Sequence, residues 1–210
     1  MPAFAHRLGV HVSIAGGIEK AVERAIELGC SAMQIFSRNP RGWRASPILS
    51  SRARLFREGV RQNDIDPVVV HTPYLLNLAS GDAELHRKSI QGLSEDLKRA
   101  EQLGAGYVVT HLGSAGDRGL SSSRKQVVKA LQKVLEKDSP VILALENSAG
   151  GGRTLWGVPW MRSRKSSGVR GETRGSASVL IPVTGMRRAM ISDRRLRHGH
   201  WWRKWTGPSV

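Results

Sequence analysis

The sequence predicts an α/β fold of the (β/α)8 TIM-barrel type, incomplete at about five βα units and followed by an irregular C-terminal tail. Three observations carry this: short apolar runs alternate with helical patterns, polar residues close the apolar runs, and periodicity is lost after residue 152.

The strand-like runs are LGVHVS (8–13), SAMQIFS (31–37), PVVVHTP (67–73), GYVVTHLG (106–113) and PVILALEN (140–147). Apolar character without alternation suits strands covered on both faces, as in a parallel sheet. Between the first two runs, Ile18, Ala21, Val22, Ala25 and Ile26 recur at helical spacing, and Gly29 follows as a C-terminal stop. Residues 47–61 form the next helical segment, with a fainter stripe. Ile90, Leu93, Leu97 and Ala100 mark a third helix ahead of Gly104, and Val127, Val128, Leu131, Val134 and Leu135 a fourth over 122–137. Repeated βα units give parallel strands with right-handed crossovers. No GxGxxG follows the first strand, so a dinucleotide-binding sheet has nothing in its favour. His11, Gln34, His71, His111 and Glu146 all stand at C-terminal strand ends. A barrel gathers those ends on one rim, whereas an open sheet spreads them along a line.

At 210 residues the chain suffices for one domain plus a tail. No apolar run reaches membrane-spanning length, and MPAFAHRLGV is interrupted too soon to be a signal peptide. Cys30 is the single cysteine, which excludes an internal disulfide and fits a reducing, cytoplasmic setting. The net charge of +16 points to a polyanionic partner, but it is unevenly spread. Residues 1–152 hold 20 basic and 15 acidic residues, a net +5, while residues 153–210 hold 13 and 2, a net +11.

His71, His111 and Glu146 occupy equivalent positions in three successive βα units. Imidazole nitrogens and a carboxylate are ligands that zinc accepts, and a bridging carboxylate can hold two ions. His11 is either a further rim histidine or a partner standing behind those ligands. His86 lies in a helix among charged residues, where a solvated face is expected.

Five segments, GVHVSIAGG (9–17), QIFSRNPRGW (34–43), VHTPYLLNLAS (70–80), VVTHLGS (108–114) and ALENSAGGG (144–152), together resemble the endonuclease IV family of apurinic/apyrimidinic endonucleases. The resemblance implies a TIM barrel whose three-zinc cluster hydrolyses the phosphodiester 5′ to an abasic site in double-stranded DNA, a step of base-excision repair. It implies metal ligands at His71, His111 and Glu146, with Glu146 in the bridging, catalytic role. DNA contacts are implied at Arg41, with Asn39 and Trp43 around it, and at Tyr74, which would wedge into the gap left by the missing base. A monomer is expected. A sugar isomerase or epimerase of the same barrel superfamily is the alternative, and a DNA-binding remnant without catalysis is another.

After Gly152 the family's pattern stops. Its DTCH and D-x-H metal motifs are absent, and residues 153–210 hold five of the six Trp and most of the excess Arg. The regrouping of synonymous codons is informative here. With CTG for Leu180 and ATA for Ile181, joining each third base to the next two over Leu180–Ile191 yields DTCHxxAAGYD, the missing motif. Residues 153–210 are therefore expected to be an out-of-frame, unrelated basic tail, and His198 and His200 are not counted as ligands. The protein as written should bind fewer zinc ions than the family's set. Resequencing of codons 150–156 is expected to reveal one base gained or lost, and an unchanged frame in an independent copy of the gene removes the expectation.

Overall fold

A computed structural model describes residues 7–114, 116, 119–135 and 139–147, together with a short strand at 181–182. The expectations placed on the remainder of 153–210 lie outside the described residues.

The elements run β1 (Gly9–Val12), α1 (Lys20–Glu27), β2 (Ala32–Phe36), α2 (Ser50–Gln62), β3 (Val68–His71), α3 (Ala83–Leu103), β4 (Tyr107–His111), α4 (Leu120–Leu135), β5 (Ile142–Asn147) and β6 (Ile181–Pro182). All pair in parallel and in chain order, β1-β2-β3-β4-β5-β6. Each of the five apolar runs became a strand and each helical stripe a helix, with ends moved by a few residues. An incomplete TIM barrel is thus borne out, with four complete βα units and the strand of a fifth among the described residues.

Local chemistry fixes the helix ends. Asp82 caps α3: its carboxylate oxygen accepts from the Leu85 N–H at 2.7 Å, satisfying one of the four donors that a helix start leaves unpaired. Gly104 ends the same helix in the left-handed region at φ 70°, where a residue without Cβ is at no disadvantage.

Strand alternation divides the core. Met33, Ile35, Val68, Val70, Val108 and Leu143 point outward and pack with the helices around Phe56, Leu93 and Val127. On the other face Val69, Val109 and Ala144 form a separate apolar layer, with Tyr107 packed on it. The residues two positions further along those strands share that face. They are His71, His111 and Glu146. One parity therefore makes both the inner apolar layer and the polar group above it.

One expectation is corrected. His86 is buried rather than solvated, and its Nε2 lies 3.2 Å from the Gln126 carbonyl of α4. The charged neighbours on α3 face outward while this ring faces the next helix. The edge of β5 carries β6 at its C-terminal end, with Glu146 opposite Ile181 and Asn147 opposite Pro182.

Phe56 has no exposed surface, and removing a buried aromatic ring leaves a cavity. Phe56→Ala is expected to cost about 3–5 kcal/mol, and Asp82→Ala about 1 kcal/mol through the lost cap. Urea unfolding of the two variants measures both, and a cap variant as damaging as the cavity variant contradicts this account.

Candidate metal centre

β4 and β5 run in a register that sets His111 directly opposite Glu146. β3 is staggered so that His71 stands opposite Val109, and Thr72 continues the pairing by donating its N–H to the Val109 carbonyl at 2.9 Å. Thr72 and Thr110, both fully buried, join hydroxyls at 3.0 Å between the ends of β3 and β4. The result is that one ligand-type atom from each of His71, His111 and Glu146 lies within 4.8 Å of the others. The imidazoles of His71 and His111 meet edge to face, with centroids 5.0 Å apart.

The hydrogen bonds around His71 test whether this group suits a cation. Its Nδ1 lies 2.7 Å from the Thr72 carbonyl, which can only accept, so Nδ1 carries the proton. In a neutral ring Nε2 then presents a lone pair, and it faces Glu146 Oε2 at 2.8 Å. Two acceptors in that position need either a further proton or a shared cation. His111 Nδ1 stands 3.6 Å from the same oxygen, beyond hydrogen-bonding distance but suitable for sharing an ion. Metal-bound histidines commonly donate the second ring nitrogen to a backbone carbonyl, as His71 does here. The three residues could therefore hold a metal ion.

Electrostatics reinforces the arrangement. Burial pushes the Glu146 carboxyl up, but the hydrogen bond that His71 Nε2 donates when that ring takes the further proton, together with the nearness of the two imidazoles, outweighs it and leaves the carboxyl below its ordinary value. Burial lowers His111; Glu146 pulls it up and His71 pushes it further down. His11 is pushed down to about 4, first by burial and then by His71. Both of the latter rings are thus held neutral, the form that binds metal.

The other expected residues fall into two groups. Tyr74 and His11 adjoin the cluster. The Tyr74 ring is 64 % exposed, 6.4 Å from the His71 ring and 5.3 Å from Phe36. His11 Nδ1 meets Gln34 Nε2 at 2.9 Å, and its ring lies 4.3 Å from Phe36 and 6.4 Å from His71. By contrast Asn39, Arg41 and Trp43 lie in the loop after β2, and their hydrogen bonds do not reach the cluster. Asn39 accepts the Arg41 N–H at 3.0 Å, and the Trp43 carbonyl accepts from Arg38 at 3.0 Å. Trp43 packs partly buried against the core, while Asn39 and Arg41 are exposed.

Sequence reasoning passed over Phe36, the ring that touches His11, His71 and Tyr74 at once. Its place at a strand end, in parity with Gln34, was the available signal. It also passed over Asn77, whose carboxamide oxygen accepts from the Ser114 N–H at 3.2 Å and the Ala79 N–H at 3.1 Å. That side chain ties the loop after β3 to the loop after β4. Gly113 makes room for it: at φ 90°, an added Cβ would fall 2.0 Å from the Asn77 oxygen.

Parallel strands, alternating helices and a group of nitrogen and oxygen atoms at the C-terminal rim that could hold a metal ion define an incomplete TIM barrel. A family model described as xylose isomerase-like TIM barrel matches residues 22–160, and the chain belongs to that family. It is 47% identical over 145 residues to "Probable endonuclease 4" of Methanoculleus marisnigri, covering 68% of this chain and 51% of that protein. Endonuclease IV from Thermus thermophilus superposes with a TM-score of 0.62 at 38% identity, over 71% of this chain and 54% of that one. A D-tagatose 3-epimerase-like protein superposes with a TM-score of 0.63 at 19% identity, over 81% of this chain and 63% of that one, a likeness of fold alone. The resemblance to endonuclease IV is borne out. The chain spans about half the length of the relatives it matches. Among the described residues, no helix is long and apolar enough to cross a membrane.

The lowered imidazole values have a definite sign. The unfolded value for His11 is near 6.5 and the folded value about 4, so the folded state disfavours the proton. The stability this contributes is full above pH 6.5 and lost as pH falls toward 4. His111 acts in the same direction from the same unfolded value. In a metal chelator, stability is expected to decline between pH 6.5 and 4, and His11→Asn should flatten part of that limb. Urea titrations across the range check it, and a limb unchanged by the substitution contradicts it.

Proposed function

We propose that this chain is a DNA-repair phosphodiesterase of the endonuclease IV type, built to hydrolyse the bond 5′ to abasic sites with zinc in base-excision repair. The observation that carries the proposal is the convergence of His71, His111 and Glu146 within 4.8 Å on the rim that bears the exposed Tyr74. Relatives named endonuclease 4, at up to 47% identity, support the same reading. The epimerase likeness is one of fold and adds nothing for a sugar substrate.

In this reading His71, His111 and Glu146 would hold zinc, with Glu146 in the role that the family resemblance implies. Zinc there supplies Lewis acidity toward a phosphoryl oxygen and eases the ionisation of water near neutral pH. The residues of this chain do the rest. The Thr72 carbonyl holds the His71 ring in one tautomer. His11, kept neutral and bonded to Gln34, stands beside His71 without competing as a charge. Tyr74, backed by Phe36, fills the space of the missing base. Arg41 makes a phosphate or groove contact, and Trp43 seats its loop on the core.

The family's later ligand motifs are not written in frame in residues 153–210, so the 210-residue chain is expected to hold fewer than three zinc ions and to act weakly. We propose residues 1–152 as the working part, acting in the cytoplasm as a monomer.

The zinc-loaded chain is expected to prefer duplex DNA carrying an abasic analogue over intact duplex. Tyr74→Ala should remove most of that preference, and Glu146→Gln should lower zinc affinity by more than the roughly 10- to 100-fold typical of changing a residue behind the ligands. Equilibrium binding and metal competition measure these. Conversion of a ketose with no preference for abasic DNA overturns the reading, and three tightly bound zinc ions with vigorous incision overturn the claim of impairment.

A further inference from the structure

The loop between β2 and α2, residues 37–49, is longer than the two to six residues usual at such a connection. It is fastened to α3 along most of its length. Asp96 has no exposed surface and receives Arg38 on both oxygens, Nε at 3.0 Å and Nη2 at 2.9 Å, and the Ser37 hydroxyl at 2.8 Å. Arg38, so pinned, donates onward to the Trp43 carbonyl at 3.0 Å and to the Gly92 carbonyl at 3.3 Å. Arg99 donates to the Ser37 hydroxyl at 3.1 Å and to the Ser46 carbonyl at 2.8 Å. Gln102 donates to the Ile48 carbonyl at 2.9 Å. The tethers thus fall at 37, 38, 43, 46 and 48.

Gly92 gives an independent sign of the same construction. Glycine weakens a helix interior, yet it stands within α3 where a Cβ would come 3.0 Å from Arg38 Nη2. Its lack of a side chain admits the guanidinium against the helix backbone. What the tethers leave untouched is equally specific. Asn39 and Arg41 are exposed, and among the described residues the Arg41 guanidinium makes no hydrogen bond or ion pair.

We infer that α3, through Asp96, Arg38, Arg99 and Gln102, is a positioning element that presents Arg41 and Asn39 to DNA in a fixed conformation. Ordering the loop before binding lowers the entropic cost of contact. Buried charges paired on both sides resist alternative loop conformations, because any such conformation strands a charge away from water. The inference rests on the DNA reading of the loop given above, and its test separates the two.

Asp96 variants strand Arg38 and could unfold the chain, so the informative substitutions are Gln102→Met and Gly92→Ala, one at each end of the tethered stretch. In the full chain, each is expected to raise amide hydrogen exchange across 39–48 about tenfold while exchange in β3 and β4 stays put. Each should lower the preference for abasic over intact duplex about three- to tenfold, without changing the salt dependence. Arg41→Ala should lower the same preference and also reduce the salt slope by about one. Gln102→Met added to Arg41→Ala should then have no further effect, as expected when one residue acts through the other. Faster loop exchange with unchanged preference overturns the positioning role and leaves the DNA reading intact. Unchanged exchange overturns it too, by showing that α3 does not hold the loop. An Arg41→Ala variant that binds as before removes the DNA reading of the loop and the inference with it.

Discussion

The Glu146 carboxylate is 8 % exposed and meets His71 Nε2 at 2.8 Å, with His111 Nδ1 3.6 Å from the same oxygen. Taking a carboxylate out of water is costly unless positive charge or donors replace the lost hydration. Everything nearby is arranged to supply that replacement. The strand register brings His111 opposite the acid, the Thr72 carbonyl fixes the proton on the far side of His71, and the threonine pair supports the strand ends. A slip of any one of these strands by a single residue would send its member of the three to the helix-facing side of the sheet.

The same alternation accounts for the layering. Inward positions pass from Val69, Val109 and Ala144 to the two imidazoles and the carboxylate within one residue pair. The apolar layer closes the floor of the site and lowers the local dielectric, which strengthens the electrostatics above it. Fold and chemistry are therefore one pattern read at two heights along the strands.

The strands were legible because residues buried on both faces write themselves as unbroken apolar runs, and the rim because polar residues ended those runs at matching places. His71, His111 and Glu146 stood out for that reason. What stayed hidden was polar and buried. Arg38, Asp96 and Arg99 look like ordinary surface charges in a linear sequence, since only the fold brings positions 38 and 96 together. His86 misled in the same way, because charged neighbours on a helix say nothing about the face between them. Asn77 was hidden by its partner, which lies across a second loop. β6 was invisible for another reason: a two-residue strand carries no periodicity.

Gly113 joins these observations in a practical way. With no space for even a methyl group beside Asn77, the turns that leave β3 and β4 are clasped like two fingers under one ring. Tyr74 rides on one finger, and His111 sits at the root of the other. Anyone seeking to regraft this rim for a different substrate must transplant both turns as a pair, since neither keeps its shape when moved alone.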